Sequence, residues 1–298
     1  MADTIAAQRL SDPPLTEVTP FIGVYDSGLG GLSVLRAIHQ VLPRERLVYF
    51  ADSAHAPYGD RSISWIEQRV SAVVASLEAQ GAKAVVLACN TATAVAVENL
   101  RLKYSIPIVA IEPGIKVAIE RTLSGVVGVI GTTGTLHSDR YQTLLARLKG
   151  KVEVLSCATP GLVEYIEANQ LEAEGLRALL QQYIQPMLHR GIDQLVLGCT
   201  HYPFIEQQIR QVVGDRVSLV NPAGAVANYL NQLLQSHGLL TVEITSALIE
   251  KEGREARPEG LSNIQVVTSG EVTLAQQFLK QSVGWQLTPV FAELPVLS

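Results

Sequence analysis

Two cysteines that are far apart in the chain stand in similar local sequences, and both could do acid/base chemistry. Cys89 lies in VVLACNTAT, and Cys199 lies in LVLGCTHYP about half a chain later. In both segments an apolar run ends at a cysteine, and hydroxyl or amide residues then open a predicted helix. A helix N-terminus favours a thiolate. A single such cysteine is commonly a buried apolar side chain, but the matched pair indicates a shared role.

A matched pair of thiols suits inversion at a carbon atom, in which one base removes a proton and an opposed acid returns one. Such chemistry requires two groups of similar strength in opposite protonation states. A free cysteine has a pKa of about 8.5, so only a few per cent is thiolate near pH 7. Neighbouring groups must therefore stabilise the anion. Asp26 is the candidate for Cys89, and His201 is the candidate for Cys199.

A glycine-rich turn, DSGLGG, follows the first predicted strand. It does not match the dinucleotide fingerprint, because Ser33 stands where the last glycine should be, and no GK[ST] follows for a phosphate loop. A nucleotide site is therefore disfavoured. We expect the turn to present Asp26 and Ser27 to a ligand, with free helix amides that could hold a carboxylate.

A second loop, YFADSAHAPYG, follows the next predicted strand. Asp52 could cap a helix or belong to the site. The turn at Tyr58 and Gly59 would expose backbone amides that could bind a substrate carboxylate. No histidine pair has metal-ligand spacing, so no metal is expected. The third cysteine, Cys157, lacks the pattern of the other two, and we interpret it as structural.

Composition disfavours several other classes of protein. With a formal net charge of -5, scattered Lys and Arg and 5% aromatic residues, the chain offers no surface typical of nucleic-acid binding. No apolar run is long enough to predict a membrane span, and the N-terminus lacks the pattern of a secretory signal. We therefore expect a cytoplasmic protein with a small-molecule partner and no membrane association.

Apolar runs alternate with segments of helical periodicity between residues 21 and 234, which implies βαβ units and a parallel sheet. One helix is predicted over 62–79, where Ile63, Ile66, Val70, Val73, Val74 and Leu77 recur at helical spacing. The runs are nearly continuous, as is typical of strands buried on both faces. The candidate strands are 22–25, 47–51, 84–89, 108–111, 126–131, 152–157, 194–199 and 218–220.

The repeated cysteine segment favours two α/β lobes over a single eight-stranded barrel. We predict pseudo-symmetric lobes with mostly parallel sheets, each presenting one cysteine at the carboxyl end of a strand, where ligands bind. Facing edges would form an interdomain cleft that holds the active site. The predicted divisions are a flexible tail over 1–20, a discontinuous first lobe over 21–112 and 226–298, and a second lobe over 113–225. A late strand near 265–269 and a helix near 274–281 would return to the first lobe.

Five stretches together resemble the glutamate racemase family within the aspartate/glutamate racemase superfamily. They are IGVYDSGLGGLSVLR, YFADSAHAPYGDRS, VVLACNTATAVA, GVIGTTGTL and LVLGCTHYPF, and the resemblance runs from about residue 22 to residue 222. The late segment TSGEVTLAQQFL is also similar to the family's closing strand and helix. The combination of DSGxGG, PYG, CNTAT and GCTHYP points to the glutamate branch.

The resemblance implies interconversion of L- and D-glutamate without any cofactor, supplying D-glutamate for bacterial peptidoglycan. It makes Cys89 and Cys199 the catalytic thiols, acting on the D- and L-enantiomer respectively. Asp26 and His201 become their assistants, with Asp52 and Glu164 as further acid/base candidates. The substrate contacts that it implies are Asp26, Ser27, Tyr58, Gly59, Asn90, Thr91, Thr200 and His201.

Three other functions stay open on the sequence. The chain could be a related racemase acting on aspartate or a hydantoin, or a lyase or acyl-transfer enzyme that uses one cysteine. It could also be a two-lobed protein that binds an amino acid without catalysis. The oligomeric state is open as well, with a homodimer as one candidate.

Overall fold

The computed structural model describes residues 19–148, 150, 152–241 and 260–293. Within these residues the strands form one six-stranded and one four-stranded sheet, and every paired strand is parallel to its neighbour. The strands are β1 Phe21–Asp26, β2 Leu47–Ala51, β3 Ala82–Leu87, β4 Ile108–Ala110, β5 Val126–Gly131, β6 Glu153–Ala158, β7 Gln194–Gly198, β8 Ser218–Val220, β9 Ile264–Thr268 and β10 Val290–Phe291.

Helices connect the strands in the alternating order that parallel sheets require. They are α1 Leu32–Val41, α2 Ile63–Ala79, α3 Asn90–Lys103, α4 Ile115–Arg121, α5 Thr133–Leu136, α6 Asp139–Leu148, α7 Leu162–Glu167, α8 Glu174–His189, α9 Glu206–Val213, α10 Ala223–Ser236 and α11 Val272–Phe278. Short 3-10 turns cover Ser53–His55, Tyr202–Ile205 and Leu261–Asn263, and a π turn covers Leu279–Val283.

Each sheet is the middle layer of a three-layer lobe. The first sheet has the order β10-β9-β2-β1-β3-β4, and the second has the order β6-β5-β7-β8. Apolar side chains of α2 and α3 cover one face of the first sheet, and those of α4 and α6 cover one face of the second. The remaining faces share one continuous core with α1, α7, α8, α9 and α10. The predicted α/β fold with two lobes of parallel strands is confirmed.

Most predicted strands agree with the structure to within two residues at each end. Both cysteines lie just beyond their strands rather than at the last strand position. The edge strand β10 has only two residues and no sequence signal predicted it. Ile63 is 67% exposed in the first turn of α2, so its place in the apolar pattern was wrong.

The predicted flexible tail over 1–20 and the predicted return to the first lobe over 226–298 are described only in part. Residues 1–18 of the predicted tail and residues 242–259 lie outside the described residues. The predicted lobe boundaries near residues 112 and 225 stay predictions. No described helix combines the length and the apolar character that a bilayer crossing demands.

Candidate active site

The glycine-rich turn between β1 and α1 lies directly against side chains of the second lobe. An added Cβ on Gly28 would be 2.2 Å from Glu167 Oε1, and one on Gly30 would be 2.3 Å from His201 Nδ1. Close approach rather than backbone conformation therefore favours glycine here, most strongly at Gly30, which faces the His201 ring, since at Gly28 the Glu167 carboxylate could shift. The Leu29 amide donates to Glu167 Oε1 at 2.6 Å. The backbone of the turn, which has no side chains at Gly28 and Gly30, is thus in direct contact with the second lobe.

Cys199, beyond the end of β7, belongs to a chain of three polar side chains. Its Sγ is 3.5 Å from His201 Nδ1, and His201 Nε2 is 2.5 Å from Glu167 Oε1. The Gly30 amide also points at Nε2, at 3.2 Å, but the shorter contact with a carboxylate makes Nε2 a donor. Burial alone would lower the pKa of His201, yet its contacts with Cys199 and Glu167 raise that pKa well above its usual value.

Cys89 has a different environment, although it occupies the equivalent place beyond β3. It is the N-cap of α3, where its Sγ accepts from the Ala92 amide at 3.4 Å and lies 3.4 Å from Ser27 Oγ. Burial, reinforced by the charge of Asp26, raises the pKa of the Cys89 thiol to about 11. Cys199 precedes a 3-10 turn instead, so only Cys89 caps an α-helix.

Asp26 connects the two lobes rather than bonding to Cys89. Its carboxylate accepts from the Gly28 amide at 2.9 Å and from Thr200 Oγ1 at 3.0 Å. Burial raises the pKa of Asp26 above its usual value. Ser33 Oγ donates to the Thr200 carbonyl at 2.8 Å across the same boundary. The segments after β1 and β7 are therefore locked together, and the charge of Cys199 is near enough to raise the pKa of Cys89.

Asn90 presents a buried amide with no partner. Asn90 is only 4% exposed, and neither Oδ1 nor Nδ2 of its side chain has a hydrogen-bond partner within the described part of the chain. Such a group costs free energy unless something binds it. The neighbouring Thr91 Oγ1 is 2.9 Å from Thr132 Oγ1 and 3.2 Å from Thr135 Oγ1 of the second lobe. Asn90 is thus positioned to bind a polar ligand in the cleft.

Asp52 accepts a two-pronged hydrogen bond from Arg69 and another from the Tyr58 hydroxyl at 2.5 Å. Its side chain does not cap the 3-10 turn that follows it. Those hydrogen bonds overcome burial and lower the pKa of Asp52. Gly59 abuts the second lobe, since an added Cβ on Gly134 would be 3.0 Å from the Gly59 carbonyl oxygen.

The structure brings most of the predicted site residues to the boundary between the two lobes, with Glu164 as the exception. Glu164 is exposed on α7, and Glu167, three residues later on the same helix, is the carboxylate that contacts His201. Cys157, which the sequence places outside the site, is half-buried on β6. Nothing in the local sequence distinguishes Glu167 from Glu164. Arg69 was also missed, although a cation on the apolar stripe of α2 is a signal for a buried carboxylate partner.

A metal centre would need several ligand side chains together. No three His, Cys, Asp or Glu side chains form such a group among residues 19–148, 150, 152–241 and 260–293. The polar atoms that line the cleft are thiols, hydroxyls, amides, carboxylates and one imidazole. This set can exchange protons and bind a small polar molecule.

Known proteins resemble this chain in both sequence and fold. Residues 22–230 match the profile of the Asp/Glu/hydantoin racemase family. A glutamate racemase of Ectopseudomonas mendocina is 52% identical over 227 residues, which are 76% of this chain and 86% of that protein. The structure of a Bacillus anthracis glutamate racemase isoform has a TM-score of 0.80 and 33% identity, covering 94% of this chain and 100% of that one. The Francisella tularensis glutamate racemase in complex with D-glutamate has a TM-score of 0.77 and 25% identity, with coverage of 94% and 100%. The chain therefore belongs to the Asp/Glu/hydantoin racemase family and is an isomerase.

Proposed function

We propose that the enzyme interconverts L- and D-glutamate without a cofactor, using Cys89 and Cys199 as opposed acid/base groups. One observation carries the proposal: two buried cysteines lie just beyond the carboxyl ends of equivalent strands in two sheets, near enough for the charge of Cys199 to raise the pKa of Cys89. The naming of close relatives as glutamate racemases supports glutamate as the substrate, as does the D-glutamate bound in the Francisella tularensis protein.

The unequal environments of the thiols support opposite protonation states. The raised pKa of His201 keeps an imidazolium 3.5 Å from the sulfur of Cys199, while Cys89 with a pKa of about 11 stays a thiol, so the proposed mechanism takes Cys199 as the base for L-glutamate. In this state Cys199 removes the α-proton of L-glutamate, and Cys89 donates its proton to the opposite face of the carbanion. The reverse reaction begins from the exchanged state, in which Cys89 is the thiolate.

Substrate binding is assigned to polar groups around the thiols. The free amide of Asn90 supports this assignment, because a substrate carboxylate or ammonium group would satisfy it. Backbone amides and hydroxyls would hold the carboxylates. Glu167, rather than the predicted acid/base candidate Glu164, supports His201, and Asp52 acts by holding Tyr58. The proposed binding residues are Asp26, Ser27, Tyr58, Gly59, Asn90, Thr91, Thr200 and His201.

Racemisation in heavy water tests the proposal. We expect the wild type to invert L-glutamate while it incorporates deuterium at the α-carbon, with inversion followed by circular dichroism and deuterium by NMR. Cys89→Ala and Cys199→Ala should each abolish inversion, because each removes one of the two groups that handle the proton. Cys157→Ala is the matched control and should keep wild-type turnover.

Each alternative function predicts a different result. A binding protein would bind glutamate without exchanging its α-hydrogen. An enzyme with one catalytic cysteine would keep its turnover after Cys199→Ala. A racemase for aspartate or a hydantoin would be revealed by faster inversion of that compound in a substrate panel. Any of these three results would refute the proposal.

We further propose that the enzyme acts in the cytoplasm and supplies D-glutamate for peptidoglycan synthesis. The three unpaired cysteines agree with a reducing compartment. Expression of the gene should restore growth of a bacterial strain that requires D-glutamate, and a failure to do so would contradict the assigned role. A homodimer is the oligomer that we expect if the protein self-associates, and light scattering would measure it.

A further inference from the structure

Two buried ion pairs lie at opposite ends of β2. Glu45, before the strand, pairs with Lys83 at 2.6 Å, and Asp52, after the strand, pairs with Arg69 at 2.7 Å. No side chain of the four is more than 10% exposed. The cleft lies at the carboxyl ends of the strands, so the Asp52–Arg69 pair is at the cleft edge of the sheet. The Glu45–Lys83 pair is at the far edge.

The pair at the cleft edge is the centre of a larger network. Arg69 donates from Nε to one carboxylate oxygen of Asp52 and from a terminal nitrogen to the other, both at 2.7 Å. Asp52 also accepts from Ser269 Oγ at 2.9 Å and from the Tyr58 hydroxyl at 2.5 Å. The Tyr58 oxygen in turn accepts from the Tyr25 hydroxyl at 2.6 Å. The network therefore connects α2, β1, β2, the segment after β9 and the loop that carries Tyr58.

This network lies directly behind the cleft. Tyr25 and Tyr58 belong to the same apolar cluster as Cys89, and Gly59 packs on the second lobe near Thr132 and Gly134. Tyr58 is 1% exposed, and its hydroxyl is held by Asp52. The backbone at Tyr58 and Gly59 therefore depends on the orientation of the Asp52 carboxylate. That orientation depends on the two-pronged contact with Arg69.

We infer that Arg69 is a positioning residue for racemisation: it fixes Asp52, and Asp52 fixes the Tyr58–Gly59 backbone where the substrate carboxylate binds. The inference rests on the proposed function. Backbone contacts with a carboxylate are made equally in the bound substrate and in the transition state. Loss of Arg69 therefore raises KM more than it lowers kcat.

The far-edge pair provides a matched control. Lys83→Met and Arg69→Met each remove one cation from a buried ion pair in the same lobe, and both leave a buried carboxylate without its lysine or arginine partner. Both variants should unfold at lower temperature than the wild type. Only the Arg69 variant should also bind glutamate more weakly, since Lys83 holds the Leu239 carbonyl and Glu45 rather than any part of the cleft.

Arg69→Lys is the decisive variant if Arg69→Met does not fold. Lysine keeps the positive charge but cannot donate two parallel hydrogen bonds to the Asp52 carboxylate as arginine does. We expect Arg69→Lys to raise KM for both enantiomers about tenfold, the effect of losing one charge-assisted hydrogen bond, with kcat changed less than KM. Lys83→Met should keep the wild-type KM.

Two results separate the possible failures. If wild-type enzyme does not invert glutamate, the proposed function is wrong. If the wild type is active but the Arg69 variants keep its KM, as Lys83→Met should, then Arg69 only stabilises the fold and the inference is overturned. Initial rates in both directions and thermal unfolding midpoints of all four proteins provide these readouts.

Discussion

Replacing Glu167 by glutamine tests how the chain of contacts at Cys199 works. The substitution keeps an oxygen that can accept from the Leu29 amide, so the contact with the glycine turn is retained. It removes the negative charge that lies 2.5 Å from His201 Nε2. The imidazolium form of His201 loses its charged partner, and in the proposed mechanism that imidazolium is the group that stabilises negative charge on Cys199.

The magnitude follows from burial and from the type of contact. The His201 side chain is 3% exposed and that of Glu167 is 17% exposed, so solvent screens the pair only slightly. A hydrogen bond to a charged group contributes about 1.5–3 kcal/mol, which corresponds to about 10- to 150-fold in rate. We expect kcat/KM of Glu167→Gln to fall within this range. The equal free energies of the enantiomers require the same factor in both directions.

The pH dependence adds a signed prediction. In the wild type the pKa of His201 is raised, so the imidazolium persists to higher pH than usual and is lost as the pH rises through that value. Removal of the Glu167 charge lowers the pKa of His201. The upper limb of the kcat/KM profile should therefore move to lower pH in Glu167→Gln.

Circular dichroism of product formation from each enantiomer, measured across the pH range, is the assay. Glu164→Gln is the matched control, because Glu164 is exposed on the same helix, and it should behave as the wild type. The reasoning is refuted if Glu167→Gln keeps the wild-type rate and profile, or if Glu164→Gln shows the larger loss.

Three further predictions concern residues that join the two lobes. Gly30→Ala places a Cβ 2.3 Å from His201 Nδ1, so kcat should fall and the unfolding free energy should decrease by about 1–3 kcal/mol through overpacking; steady-state kinetics and urea unfolding measure both. Asp26→Asn removes a charge that raises the pKa of Cys89, so the thiol should titrate below about 11 when its ultraviolet absorbance is followed. Arg140→Gln breaks the partly exposed ion pairs of α6 with Glu98 and Glu112, which help to hold α6 against α3. Exposed pairs contribute about 0–1 kcal/mol, so if they favour the closed arrangement that binds substrate, their loss should raise KM less than about fivefold. High salt should have the same effect on the wild type.

The sequence predicted those features that local pattern determines. Continuous apolar runs located the strands, because strands buried on both faces carry a strong signal. The repeated segment around Cys89 and Cys199 indicated two lobes. The ends of the strands were less accurate, since the last residues of a strand are defined by pairing with a neighbour. The two-residue strand β10 carries no periodicity at all.

Contacts between distant segments could not be predicted in the same way. Glu164 and Glu167 are one helical turn apart, and only the packing of α7 decides which of them contacts His201, a residue 34 positions from Glu167. Arg69 lies among Ile66, Val70 and Val73 on the buried stripe of α2, so a buried carboxylate was foreseeable. Its identity as Asp52 depends on how α2 packs against β2.

The hydrogen bond between the glycine-rich turn and Glu167 bears on how reactive the sulfur of Cys199 is towards other molecules in the cell. The Leu29 amide belongs to the first lobe and Glu167 to the second, so a separation of the lobes wide enough to part these two residues breaks their hydrogen bond. Glu167 and His201 then face water, which weakens the attraction between them. Under the proposed mechanism the sulfur of residue 199 would be fully activated only while the lobes are shut, and cellular electrophiles and peroxides would meet it chiefly in a less reactive state.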